Sequence, residues 1–191
     1  TQDFIVDDTQ APAITCPAGT TVECFGDLPL AYTTLAQFTA AGGTASDNCG
    51  LVATSFTLVS QTASGLCPRT VTRTYSIADS CGNINVCTQD FIVDDTQAPS
   101  ITCPAGTTVE CFGDLPLAYT TLAQFTAAGG TASDNCGLVA TSFTLVSQTA
   151  SGLCPRTVTR TYSIADSCGN VSSCTQDFIV DDTQAPSITC P

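Results

Sequence analysis

Histidine and lysine are absent from this chain. Without histidine, the usual acid–base pairs and nucleophilic triads cannot be assembled. The four basic residues are all arginines, set against 17 acids, and the formal charge is −13. So acidic a chain repels nucleic acid and anionic lipid, and neither is expected as a partner. No run of about 18 apolar residues occurs, so no membrane insertion is expected. No glycine-rich loop of the phosphate-binding kind is present, and no D-x-D-x-D-G calcium loop. No CxxC pair exists either, which removes typical zinc spacing. An enzyme is not expected.

What is present is repetition. Residues 1–87 and 88–174 differ at four positions, and residues 175–191 begin a third copy. Ala13 becomes Ser100, and Ile84-Asn85-Val86 becomes Val171-Ser172-Ser173. A fixed period marks one structural unit used repeatedly, and 87 residues suits one small domain. The expected frame is one repeat at 9–95 and another at 96–182. Residues 1–8 are expected to close a preceding repeat, and 183–191 to open a following one.

Each copy carries six cysteines: Cys16, Cys24, Cys49, Cys67, Cys81 and Cys87, then Cys103, Cys111, Cys136, Cys154, Cys168 and Cys174. Cys190 is the third copy of Cys16. An even number per small domain at fixed spacing predicts a disulfide framework and an oxidising compartment. The chain is therefore expected outside the cell, secreted or on a surface.

Within one unit, threonine and β-branched residues favour strands. Ala13–Cys24 reads as an opening strand kinked at Pro17-Ala18-Gly19. Leu51–Gln61 reads as a strand with Val52, Phe56 and Leu58 on one face. Arg69–Ala78 alternates clearly, with Val71, Arg73, Tyr75 and Ile77 on the apolar parity. Ile84–Asp94 is the closing strand, on which Gln89, Phe91 and Val93 share a face with Cys87. Thr34 followed three residues later by Gln37 has capping-box form, and Gly42-Gly43 supplies a stop. A short helix is expected over Leu35–Ala41. The fold class that follows is all-β: tandem immunoglobulin-like β-sandwiches, each with one short crossing helix, rich in disulfides.

Four stretches carry a resemblance: Ala11-Pro12-Ala13-Ile14-Thr15-Cys16-Pro17, Asp47-Asn48-Cys49-Gly50, Ala78-Asp79-Ser80-Cys81-Gly82-Asn83, and Cys87. Together they resemble the hyalin-repeat type of immunoglobulin-like domain. The likeness is closest to tandem versions in very large secreted or surface proteins of gliding and marine Bacteroidetes. It implies an adhesin-like surface protein and cystines formed inside each unit. Cys67 and Cys81 exceed the simplest hyalin pattern. On a sandwich they lie at opposite ends of one strand, roughly 46 Å apart, and cannot bond each other. The expected pairs are Cys16–Cys87, Cys24–Cys67 and Cys49–Cys81, then Cys103–Cys174, Cys111–Cys154 and Cys136–Cys168. The rival scheme joins Cys87 to Cys103 and Cys174 to Cys190 across units.

Candidate sites are few. Calcium at the joint between repeats is one, with Asp94, Asp95, Asp134, Asn135 and Asp166 as oxygen ligands. The bland alternative has Asp134 and Asp166 capping their own turns. Arg73 and Arg160 are read as laying their stems over the sheet and pairing with an acid such as Glu23. Tyr32, Phe25 and Phe38 offer a glycan platform, or more ordinarily core packing. Asn170-Val171-Ser172 is a glycosylation sequon without a counterpart at Asn83.

The expected function is a non-enzymatic structural repeat, a rigid disulfide-locked spacer in an extracellular adhesin stalk. Its partners would be adjacent identical repeats in the same chain. One alternative is a self-assembling filament with contacts or cystines between units. A second is a glycan- or protein-binding module.

Overall fold

The computed structural model describes residues 2, 3, 5 and 7–190. They divide into two compact units, Thr1–Asp95 and Thr96–Pro191. Unit 1 contains β1 (Ala13–Thr15), β2 (Thr21–Val22), helix α1 (Leu35–Ala40), β3 (Thr44–Ser46), β4 (Leu51–Ser64), β5 (Arg69–Asp79) and β6 (Ile84–Val93). A 3-10 turn at Phe25–Asp27 precedes α1. Unit 2 repeats this order as β7 (Ser100–Thr102), β8 (Thr108–Val109), α2 (Leu122–Ala127), β9 (Thr131–Ser133), β10 (Leu138–Gly152), β11 (Arg156–Asp166) and β12 (Val171–Val180). The fold is all-β and disulfide-rich, as the sequence leads one to expect.

In unit 1 a four-stranded sheet has the order β2-β6-β5-β4, and a second sheet pairs β1 with β3. The expected opening strand Ala13–Cys24 is therefore two strands on two sheets. β1 runs antiparallel to β3, with Ile14 opposite Ala45. β2 runs parallel to β6, with Thr21 opposite Ile92. Gly19 makes the crossing possible, because a Cβ there would collide with the Asp90 carbonyl. The Gln89 side chain holds the same crossing by donating from Nε2 to the Ala18 carbonyl at 3.2 Å.

The helix forms where its caps require. Thr34 Oγ1 accepts the Gln37 N–H at 3.2 Å, and Gln37 Oε1 reaches back to the Thr33 N–H at 2.9 Å. It ends one residue short of the expectation, with Ala41 as C-cap. Gly42 follows at φ 96°, a conformation that side chains resist. The buried residue of α1 is Phe38. Its ring centroid lies 4.9 Å from Phe56 and 5.7 Å from Tyr75, while Phe56 stacks on Tyr75 at 5.5 Å. Ile77 completes the buried cluster, and Ile14, Tyr32, Leu35 and Leu58 pack against it. Phe125, Phe143, Tyr162 and Ile164 form the equivalent cluster in unit 2.

The alternation along β5 is realised: Val71, Arg73, Tyr75 and Ile77 are all buried. Strand β4 departs from its expected pattern. Two register shifts, between Val52 and Thr57 and between Leu58 and Ser60, interrupt its pairing with β5. Each shift changes which parity faces inward. Val52 is exposed in consequence, although Phe56 is buried. At the first shift Ser55 Oγ fills the broken ladder, accepting the Ala78 N–H at 2.8 Å.

The closing strand expected at 1–8 falls partly on residues 1, 4 and 6, which lie outside the described set; the others there join no strand, nor do residues 183–190.

Truncating Phe38 removes the residue that α1 contributes to the aromatic cluster. Phe38→Ala is expected to lower unfolding free energy by about 3–5 kcal/mol, read from the midpoint of urea denaturation; a loss below about 1 kcal/mol would contradict the packing role.

Candidate metal centre and thiols

The turn from β5 to β6 is built on Asp79. Its Oδ1 accepts the N–H groups of Cys81 at 2.8 Å and Asn83 at 2.9 Å, and its Oδ2 accepts from Asn83 Nδ2 at 2.7 Å. Burial by itself would raise the Asp79 pKa. Hydrogen bonds from the Asn83 side chain and from the amides of Asn83, Cys81 and Gly82 outweigh it and hold the carboxyl below its usual range. Asn83 Nδ2 also donates to the Asp8 carbonyl at 2.8 Å, tying the incoming chain to the turn.

Asp8 is thereby brought beside Asp79. Its Oδ1 accepts the Gln10 N–H at 3.0 Å. Its Oδ2 is buried and has no hydrogen-bond partner among the described residues. Asp47, between β3 and β4, presents two buried carboxylate oxygens, neither with a partner. One oxygen from each of Asp8, Asp47 and Asp79 lies within 4.8 Å of the others. Neither arginine of the unit is engaged there. Arg69 stands 5.9 Å over the Phe25 ring. Arg73 donates from Nε to Gln61 Oε1 at 2.8 Å and from Nη2 to the Pro29 carbonyl at 2.6 Å.

The expected calcium ligands lie one period later and are only partly assembled as predicted. Asp134 and Asp166 have carboxylate oxygens within 4.8 Å of one another. Both also cap turns, as the bland reading has it. Asp134 Oδ1 accepts from Cys136 N at 2.9 Å and Gly137 N at 2.8 Å. Asp166 Oδ1 accepts from Cys168 N at 2.8 Å and Asn170 N at 2.9 Å. Asp95, the repeat equivalent of Asp8, is buried like it. Asp94 is not a member of any such group: its Oδ1 lies 3.7 Å from Cys67 Sγ, at the end of the sheet remote from Asp79. Successive residues leaving a strand point to opposite sides, which is why Asp94 and Asp95 part company. Asn135 turns its Nδ2 onto Cys136 Sγ at 3.0 Å. The first-period set was missed at the sequence level, although Asp8, Asp47 and Asp79 stand 87 residues before Asp95, Asp134 and Asp166.

Two expected cystines are present with good geometry: Cys16–Cys87 and Cys103–Cys174, with Cα–Cα distances of 5.5 and 5.6 Å. This excludes the rival Cys87–Cys103 link. Cys24, Cys67, Cys136 and Cys168 are disulfide-bonded as well. Cys49, Cys81, Cys111, Cys154 and Cys190 are exposed free thiols. The expected Cys49–Cys81 and Cys111–Cys154 bonds are therefore not formed. The Asp8 carboxylate beside Cys49 first, then burial and the charges of Asp8, Asp47 and Cys81, raise its thiol pKa. Cys154 turns its S–H toward Asp181 Oδ1 at 3.6 Å.

The remaining candidates resolve as packing. Arg73 pairs with Gln61 and Pro29 where Glu23 was expected, and stacks 4.8 Å over Phe91; Arg160 does the same with Gln148, Pro116 and Phe178. Tyr32, Phe25 and Phe38 form no common platform. Phe38 is buried, Tyr32 packs on it at 5.9 Å, and Phe25 lies under Arg69. Asn170 of the sequon donates Nδ2 to Asp166 Oδ2 at 2.8 Å. No helix among the described residues is long and apolar enough to cross a membrane. No protein-family model matches the chain, and no curated protein matches it.

Alkylation of the native, unreduced chain is expected to label Cys49, Cys81, Cys111, Cys154 and Cys190 and to spare the other eight. Peptide mapping checks it; identical labelling of the two copies would contradict the assignment.

Proposed function

We propose that the chain is a load-bearing spacer, a non-enzymatic repeat of an extracellular stalk of the adhesin type. The hyalin-type resemblance suggests such a setting, and the cystines support an oxidising compartment. The observation that carries the proposal is where Cys16–Cys87 and Cys103–Cys174 sit. Each bond spans 71 residues of an 87-residue period. Cys16 follows β1 of the small sheet and Cys87 lies on β6 of the large one, so the bond staples sheet to sheet. Tension applied through the ends of a unit passes along this bond. Most of the unit is shielded from it.

Only the 16 residues of each period outside the bridge (87 less 71) can extend under load. At up to about 3.5 Å per residue, the contour freed per repeat is roughly 55 Å oxidised and roughly 300 Å after reduction. Single-molecule pulling of a tandem array is expected to show this difference. Steps near the longer value without reductant would sink the proposal.

The free thiols favour a second reading, a filament joined covalently end to end. Unit 1 exposes Cys49 and Cys81 beside the Asp79 turn; unit 2 exposes Cys111 and Cys154, with Cys154 beside Asp181 at the opposite end of its sheet. Head-to-tail contacts of this kind generate open filaments. Each new bond takes two thiols to one disulfide, with two electrons and two protons passing to a small-molecule disulfide. Incubation with oxidised glutathione would then give a ladder of multiples on non-reducing gels, abolished by Cys→Ser at 49 and 81. A monomer that only acquires glutathione adducts would rule this reading out.

A further inference from the structure

The carboxylate group in unit 1 has no task in a stalk held by cystines alone. Three carboxylates converge there, with oxygens within 4.8 Å of one another. Like charges so close repel one another, and their removal from water is costly unless something pairs with them. Asp8 is 7% exposed and Asp79 is 2% exposed. Asp8 Oδ2 and both oxygens of Asp47 are buried without a hydrogen-bond partner. Buried polar atoms are nearly always satisfied, so each exception points to something that completes it. Among the described residues nothing supplies the counter-charge: Arg69 and Arg73, the unit's two cationic side chains, are engaged elsewhere.

We propose that Asp8, Asp47 and Asp79 of unit 1 form a binding site for a calcium ion. The donors are all oxygens, which suits a hard cation. They come from three separated stretches of chain, so the ion would pin the incoming segment at Asp8 to the β3–β4 loop and to the β5–β6 turn. Asn83 is the supporting residue. It fixes Asp79 Oδ2 and the Asp8 backbone with the same amide nitrogen, at 2.7 and 2.8 Å, as second-sphere groups commonly do around metal ligands. Three side chains leave several positions for water or backbone oxygens. Calcium accepts six to eight ligands in irregular geometry, whereas magnesium requires near-ideal octahedral placement.

Asp47→Asn is the discriminating variant, because neither Asp47 oxygen holds any hydrogen bond that the fold depends on. The full chain is stripped with chelator and titrated calorimetrically with calcium chloride. Wild type is expected to bind with a dissociation constant between about 10 μM and 1 mM, and D47N to bind at least one fewer ion per chain. Thermal melts supply a second readout. Calcium should raise the wild-type melting temperature, and in chelator D47N should melt higher than wild type because repulsion is relieved. A role limited to turn capping predicts neither effect. Calcium isotherms that D47N leaves unchanged would overturn the proposal, as would an unchanged melting temperature at 5 mM calcium, roughly fivefold above the weakest expected constant. Equal binding of magnesium would overturn the choice of calcium. Binding of zinc alone, lost on alkylating Cys49 and Cys81, would replace the oxygen site with a thiolate one.

Discussion

The bond between Cys16 and Cys87 meets the aromatic cluster at a single place. Cys87 stands opposite Tyr75 in the β5–β6 ladder, and Cys16 and Cys87 both pack against Phe38, Phe56, Tyr75 and Ile77. The small sheet is only two strands of three residues each. So few ladder bonds could not hold it in place. What fixes it is the combination of the cystine, the Ile14 and Ala45 side chains beneath it, and the α1 segment that Phe38 anchors. The Tyr75 hydroxyl extends this grip by accepting the Tyr32 N–H at 3.3 Å. Covalent closure limits the unfolded chain, while the rings supply the apolar burial that a unit of this size needs.

Local signals in the sequence translated well. Thr34 and Gln37 announced the helix because capping is written in residues three apart. The parity of Arg69–Ala78 announced β5 because it pairs with β6 in one unbroken register along its whole length. Non-local events were hidden. The division of Ala13–Cys24 between two sheets depends on Gly19 approaching Asp90, a residue 71 positions away. The shifts in β4 depend on Ser55 finding the Ala78 amide. The candidate site was half visible: acidic residues at fixed period were apparent, but only the folded chain separates Asp94 from Asp95 and joins Asp8 to the turn through Asn83.

The four differences between the copies avoid all of this machinery. Ala13, Ile84, Asn85 and Val86 are exposed, and none is a member of the aromatic cluster, the carboxylate group or a cystine. Asn85 donates to the Pro12 carbonyl at 2.7 Å and accepts the Val86 N–H at 2.8 Å, and Ser172 stands in its place in the second copy. Drift between copies has been confined to a surface where either residue serves.

Strand β4 ends the large sheet, and its outer side has no partner. A 14-residue edge is an open template for a neighbouring chain. Proteins commonly guard such an edge with lysine, which this chain lacks. The two register shifts do that work here, because each bulge twists the strand and breaks the line of free amides into short pieces. At the other edge β2 offers two residues. The flanks of the unit thus offer a further strand only short, interrupted lines of free amides.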